Sequence, residues 1–125
     1  MIGKIRPRTK PNPGSMGSLE KQYAAEVLKP RKITGEIVDY RFEAIKLRLA
    51  PNTFYTPDFV VTFEDRIELH ETKGYWEDDA RAKIKIAAAM FPEFVFIGVE
   101  HKKRKEEKKI RGAKKYWFYE EFKAA

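Results

Sequence analysis

The alternation of apolar and polar positions predicts a β-hairpin in the middle of the chain. Residues 55–63 are rich in aromatic and β-branched side chains, which favour strands. Residues 67–73 alternate between the two sides of a second strand. Glu64 and Asp65 lie between the two segments and suit a tight turn. We therefore predict two antiparallel strands joined by a two-residue loop.

A two-residue loop fixes which residues face each other across this hairpin. With Glu64 and Asp65 in the loop, Asp58 lies opposite Glu71, and directly opposed residues have Cβ atoms about 4.5–5.5 Å apart. Lys73 lies two residues beyond Glu71 on the same face. A slip of one residue would place the carboxylates on opposite faces. The predicted hairpin therefore ends in an acidic pair beside an ammonium group.

Helical patterns flank the hairpin on both sides. Ser18 is suited to cap a helix that runs to about Lys29, where we expect Pro30 to stop it. A second apolar stripe of helical spacing covers about residues 79–91. These patterns predict one helix before the strands and one after them.

The remaining strands complete an α/β arrangement. Residues 33–49 have an extended, alternating pattern, and residues 94–99 form a nearly continuous apolar run that suits a buried strand. A right-handed crossover through the second helix makes this strand parallel to a central one. Residues 116–119 are either a last strand or a packing element. The order is helix, three antiparallel strands, helix and strand, in one mixed sheet flanked by helices.

The ends of the chain differ in composition from its middle. Residues 1–17 contain three prolines and three glycines, which predicts a flexible basic arm that becomes ordered on DNA. Residues 18–125 have the length of a single domain.

Positive charge is concentrated in two segments. The net charge is +7, and residues 102–115 hold nine lysines and arginines against two glutamates. Residues 102–115 are either a basic loop or a helix extension. Such a segment attracts a polyanion such as DNA, although a solvated charge run is equally compatible with the pattern. The candidate DNA-binding residues here are Lys102, Lys103, Arg104, Lys105, Lys108, Lys109 and Arg111.

Composition excludes several classes of chemistry. The chain has no cysteine, so it has no disulfide, thiolate nucleophile, cysteine-ligated zinc or iron–sulfur cluster. No segment approaches the roughly 18 apolar residues of a membrane span. We therefore expect a soluble, cytoplasmic protein that does not bind membranes.

The acidic pair is suited to holding a divalent metal ion. Asp58 and Glu71 offer the hard oxygen ligands that Mg²⁺ prefers, and the main-chain carbonyl of Thr72 offers another. Mn²⁺ is expected to substitute. Lys73 can bring its ammonium group to an attacking water or to a phosphate, as a base or as an electrostatic stabiliser. Lys83 flanks the apolar stripe of the second helix, where it either reaches a phosphate or remains a surface lysine.

Neighbouring residues have structural interpretations. His70 pairs with Phe59 on the other face of the hairpin, so we expect a structural histidine. Tyr75 and Trp76 follow directly after the site. Packing at its lip is favoured over stacking on unpaired bases. Glu20 lies in the first turn of the first helix, where it complements the helix dipole.

Pro57-Asp58 followed by Glu71-Thr72-Lys73 resembles the motif of the PD-(D/E)xK nuclease superfamily. The resemblance covers roughly residues 18–100 and implies a restriction-endonuclease-like core. It implies that Asp58 and Glu71 bind the metal, that Lys73 is catalytic, and that Glu20 is a further acidic ligand or orienting group. Small phage-encoded members are similar in size, and some relatives resolve Holliday junctions as dimers. The resemblance therefore adds a homodimer and the host cytoplasm to our expectations.

Three hypotheses follow from these patterns. The first is a Mg²⁺-dependent DNA endonuclease that selects branched DNA, with a restriction-type or transposon-type nuclease of the same fold as its near alternative. The second is a non-catalytic basic protein that binds nucleic acid. The third is an RNA-binding accessory protein. No helix-turn-helix or zinc-finger pattern predicts direct reading of base edges.

Overall fold

The chain forms helices and strands that combine into an α/β fold. The structure is a computed structural model that describes residues 4–7 and 16–123. The helices are α1 (Ser18–Tyr23), a π-helical segment (Ala24–Leu28), α2 (Lys29–Ile33), α3 (Asp78–Met90) and a 3₁₀ turn (Lys105–Glu107). The strands are β1 (Lys4–Pro7), β2 (Asp39–Phe42), β3 (Ile45–Ala50), β4 (Thr53–Tyr55), β5 (Phe59–Thr62), β6 (Ile67–Lys73), β7 (Val95–Lys103) and β8 (Lys115–Phe122).

A mixed five-stranded sheet forms the centre of the fold, in the order β2-β5-β6-β7-β8. Strands β2, β5 and β6 are antiparallel neighbours, and β7 runs parallel to β6, as the crossover through α3 predicts. The predicted hairpin register is confirmed, because Phe59 pairs with His70 and Thr62 pairs with Ile67. The aromatic segment 116–119 belongs to β8, which closes the sheet antiparallel to β7.

The described residues form two sheets rather than the single sheet that we expected. Strands β1, β3 and β4 form a separate small sheet, so the extended segments predicted over 33–49 and 55–63 are each divided. The first break follows Phe42, where Glu43 has a positive φ of 46°. The second break contains Pro57, which has no N–H to offer to a strand ladder. Both breaks lie within apolar patterns that look continuous in the sequence.

The two faces of the large sheet are covered by different helices. The α3 face carries a core that includes Leu69, Ile84, Ala87, Phe91 and Phe96. The opposite face packs under the first helical layer through a core that includes Tyr23, Leu28, Phe59, Val61 and Val99. Residues on alternate positions of β5 and β6 therefore enter different cores, as a strand period of two requires.

The α3 face is closely packed where β7 approaches β8. A Cβ atom added to Gly98 would lie 2.6 Å from the Phe122 ring and 2.9 Å from the Trp76 ring. These two rings are themselves 5.7 Å apart between centroids. Glycine is therefore required at this position because two aromatic side chains fill the space above the strand.

The first helical layer extends further than Pro30, where we expected it to stop. After the π-helical segment, α2 begins at Lys29 and contains Pro30 in its first turn. The backbone is already helical before α2, and the N–H of Lys29 binds the Ala24 carbonyl five residues back, so Pro30 directly follows a π-helical turn. The helix then continues to Ile33. The second predicted helix is confirmed, as α3 spans Asp78–Met90.

The structure describes part of the first basic segment and all of the second. Within the predicted flexible arm, Lys4–Pro7 form β1 and pair with β3, whereas residues 1–3 and 8–15 lie outside the described residues. The segment 102–115 is no helix extension, because its ends belong to β7 and β8 and its middle connects them through the 3₁₀ turn. Among the described residues, no helix combines the length and apolar character that crossing a membrane requires.

Candidate metal and phosphodiester site

The candidate site lies where the large sheet meets the small one. Glu71, Thr72 and Lys73 are the last residues of β6. Asp58 lies in the bend directly before β5, and Pro57 beside it is fully buried. The hairpin register carries Asp58 to the end of β6, so the structure brings together the acidic pair that the sequence predicts.

Glu71 is held by three groups. Its Oε1 accepts hydrogen bonds from the Tyr55 hydroxyl at 3.1 Å and from the Asp58 backbone N–H at 3.2 Å. Its Oε2 lies 3.4 Å from Nζ of Lys73. Because Tyr55 ends β4, the small sheet contributes directly to the orientation of this carboxylate.

Asp58 is anchored to the strand that carries Glu71. Its Oδ2 accepts hydrogen bonds from the Thr72 backbone N–H at 2.8 Å and from the Thr72 hydroxyl at 2.9 Å. Within the described residues, Asp58 Oδ1 accepts no hydrogen bond. The Asp58 amide binds Glu71 while the Asp58 carboxylate binds Thr72, so the two segments hold each other in a fixed register.

Burial and proximity shift the proton affinities of both carboxyl groups. Burial, followed by the charge of Asp58, raises the pKa of Glu71 from 4.5 to about 7, although the Lys73 ammonium opposes this rise. Burial also raises the pKa of Asp58, against the hydrogen bonds from Thr72, and the charge of Glu20 adds to the rise. The site therefore concentrates negative charge that its own cation compensates only in part.

A small cavity opens beside Glu71 on the α3 side of the sheet. It has a volume of about 240 Å³, and its lining includes Tyr55, Glu71, Lys73 and Lys83. The cavity therefore brings the Lys83 side chain of α3 next to the acidic site. Lys85 is exposed on the same helix and does not line this cavity.

Glu20 lies in the first turn of α1, on the helix that precedes the strands. Its Oε2 lies 2.9 Å from the point that a Cβ on Gly17 would occupy, so the carboxylate folds back over the N-terminus of α1. Its charge still acts on Asp58. Within residues 4–7 and 16–123, no group of three or more His, Asp or Glu side chains is placed to hold a metal ion. A role for Glu20 as a further acidic ligand or orienting group stays a prediction.

His70 has a structural role on the opposite face of the sheet. Its Nδ1 lies 2.7 Å from the Tyr23 hydroxyl, and its Nε2 lies 2.8 Å from Oε1 of Glu68. Burial lowers the pKa of His70, so the neutral ring accepts from the tyrosine and donates to the carboxylate. Of the two aromatic residues after the site, Trp76 is buried in the core, whereas Tyr75 is 77% exposed.

The candidate DNA-binding residues form a surface beyond the site. Lys102, Lys103, Lys105 and Lys108 line a groove of about 620 Å³ together with Lys115, Gly74 and Phe118. Arg104 lies over the ring of Tyr116, with Cζ 4.3 Å from the centroid. Lys109 and Arg111 are exposed outside the groove lining.

Two contributions to the site escaped sequence analysis. Tyr55 carries only a strand signal in the sequence, because its contact with Glu71 depends on the packing of the small sheet against the large one. The Thr72 hydroxyl was also missed, since we considered only the carbonyl of this residue.

Comparison of the chain with protein-family models, with curated proteins and with solved structures gives no match.

Proposed function

We propose that this protein is a Mg²⁺-dependent DNA endonuclease that hydrolyses phosphodiester bonds. The observation that carries the proposal is the buried Glu71 carboxyl, whose pKa rises to about 7 beside Asp58 and whose Oε2 lies 3.4 Å from Lys73. Strongly shifted carboxyl groups in a cavity are typical of functional sites. Two facing carboxylates without a function would destabilise the sheet, because like charges opposite each other repel.

The donor set fits a hard divalent cation. Mg²⁺ commonly binds through one or two carboxylates and keeps several waters or substrate oxygens, so Asp58 and Glu71 suffice as its protein ligands. The free Oδ1 of Asp58 and Oε2 of Glu71 would hold the ion, and the Thr72 carbonyl stays a predicted third oxygen. When bound, Mg²⁺ supplies an activated water and neutralises charge on the phosphoryl oxygens.

The protein residues position and neutralise the substrate. The Tyr55 hydroxyl and the Asp58 amide fix the Glu71 carboxylate, so it requires little reorganisation when it acts. The Lys73 ammonium faces the cavity and favours an anionic phosphate there, while Lys83 approaches from α3.

Branched DNA is the proposed substrate form. The lysine groove and the candidate site lie at neighbouring ends of β7 and β6, so one nucleic acid can contact both. The second candidate function is a non-catalytic nucleic-acid binder, which the same groove favours because five lysines line it. A homodimer and a cytoplasmic location stay predictions.

Cleavage of plasmid and four-way-junction DNA separates the two candidates. The native chain should cut in Mg²⁺ or Mn²⁺ and not in EDTA, with junction DNA preferred. Asp58→Asn should lower the cleavage rate at least 100-fold and leave binding in EDTA unchanged, because it removes a metal ligand and not a groove contact. Asp65→Asn is the matched control, since Asp65 lies exposed in the hairpin turn. Absence of cutting with either metal, or full activity of Asp58→Asn, would refute the nuclease.

A further inference from the structure

The lysine groove begins where the strand of the candidate site ends. Strands β6 and β7 pair only as far as Lys73 and Glu100, while β7 continues to Lys103 in its pairing with β8. The β7–β8 hairpin therefore projects past β6 and leaves a notch beside Gly74, which lines the groove. A strand of nucleic acid that is bound at Lys73 and extends past the end of β6 would next contact this notch.

Charge in the groove is positive and largely uncompensated. The lysines of its lining are Lys102, Lys103, Lys105, Lys108 and Lys115. Lys102 pairs with Glu100 at 3.4 Å, and Lys103 donates to the Ile110 carbonyl. Within the described part of the chain, the other three lysines form no ion pair. Their ammonium groups are therefore available to phosphates along a backbone.

An exposed aromatic ring lies on the same side of the sheet as the candidate site. The register places Lys73 beside Glu100 and Glu100 beside Phe118, so these three residues share one face on adjacent strands. Phe118 is 38% exposed and lines the groove, and Tyr75 is 77% exposed just after Lys73. Strands are about 4.8 Å apart, so the Phe118 and Lys73 backbones are separated by roughly two such spacings.

Lysines beside exposed aromatic rings are typical of a surface for unpaired nucleotides. Ammonium groups follow the phosphate backbone, while the rings stack on bases that have no partner of their own. In a duplex the bases are already stacked inside the helix and do not reach such a ring. A groove that only attracted duplex DNA would need the lysines and not the ring.

We propose that this groove binds a single-stranded DNA segment that continues from the cleavage site, with a base stacked on Phe118. The statement that the bound strand continues from the cleavage site rests on the proposed nuclease function, whereas the binding of single-stranded DNA by the groove does not. Among branched substrates, those that carry an unpaired strand next to the bond that is cut, such as a flap or an opened branch, would then be preferred over a fully paired junction.

Fluorescence anisotropy in EDTA tests binding without cleavage. Labelled oligo-dT of about 12 nucleotides should bind at least ten-fold more tightly than a duplex of equal length. Phe118→Ala should weaken oligo-dT binding about ten-fold and leave duplex binding unchanged, since it removes the ring on which one base stacks. Tyr119→Ala is the matched control, because Tyr119 is 50% exposed on the neighbouring position and lines a cavity on the opposite face.

A second variant tests the electrostatic part of the groove. Replacing Lys105 and Lys108 together with glutamine should reduce the slope of log affinity against log salt by about 1.4 for oligo-dT, as expected for two lost contacts with a single strand. Both lysines are exposed, so the fold should persist, and circular dichroism checks this.

Several outcomes would overturn the inference. They are equal affinity for single strand and duplex, an unchanged affinity in Phe118→Ala, an equal loss in Tyr119→Ala, or tighter binding of oligo-U than of oligo-dT. If the protein binds oligo-dT selectively but never cuts DNA, the proposed nuclease function is refuted and single-strand binding by the groove is supported. If it cuts DNA without this selectivity, single-strand binding by the groove is refuted and the nuclease function is supported.

Discussion

Replacement of Glu71 by glutamine should change how the stability of the protein depends on pH. The pKa of Glu71 rises from 4.5 to about 7 on folding, chiefly because of burial. The folded state therefore holds this proton more tightly than the unfolded state, and the fold loses stability as the pH rises from 4.5 through 7. Each unit of pKa is worth about 1.4 kcal/mol, so the cost at pH 8 is on the order of 3 kcal/mol. With the side chain only 12% exposed, solvent screens little of it.

Urea unfolding in EDTA at pH 4.5 and pH 8 measures this cost. Glutamine imitates the protonated carboxyl and keeps an oxygen for Tyr55. The free energy of unfolding of Glu71→Gln, taken relative to that of the native chain, should therefore be about 1–3 kcal/mol higher at pH 8 than at pH 4.5. Glu93→Gln is the control, because Glu93 is exposed on the loop before β7. Added Mg²⁺ should stabilise the native chain at pH 8 and have little effect on Glu71→Gln. Parallel pH profiles for the two chains would refute the elevated pKa of this group.

Three further predictions address packing and the site. Gly98→Ala should destabilise the fold by about 1–3 kcal/mol in urea unfolding because its methyl group meets two rings, whereas Gly74→Ala, with no atom within 4 Å of the added Cβ, should cost less than about 1 kcal/mol. His70→Leu should cost about 2–3 kcal/mol by the same assay, since it leaves two buried hydrogen-bonding groups without this partner, and an unchanged midpoint would contradict the network. Lys83→Ala should lower the rate of DNA cleavage about ten-fold under single-turnover conditions while Lys85→Ala leaves it unchanged, and equal losses would show a general effect of surface charge.

The sequence was sufficient for the part of the fold that local rules determine. Alternation and a two-residue loop set the register between β5 and β6, so the meeting of Asp58 with the end of β6 could be predicted. The second sheet could not, because its existence depends on long-range pairing and on the turn at Glu43, whose positive φ has no strong local signal. Pro57 is evident in the sequence, but the continuous strand predicted over residues 55–63 did not take into account that this proline interrupts strand pairing.

The same contrast separates the predicted and missed parts of the site. The acidic pair and Lys73 follow from spacing along two strands, and sequence analysis found them. The hydroxyl of Tyr55 reaches Glu71 only because the small sheet docks beside the large one. The return of Glu20 over Gly17 depends on a side-chain rotamer that sequence patterns do not determine. The contact between the two sheets and the side-chain rotamer of Glu20 are therefore the parts of the site that sequence patterns do not predict.

The Tyr55–Glu71 hydrogen bond joins two units that otherwise have separate strand ladders. A tilt of the β1-β3-β4 sheet that moves Tyr55 away from Glu71 would remove a donor that lowers the pKa of this carboxyl. The proton occupancy of Glu71 would then report the position of a neighbouring sheet.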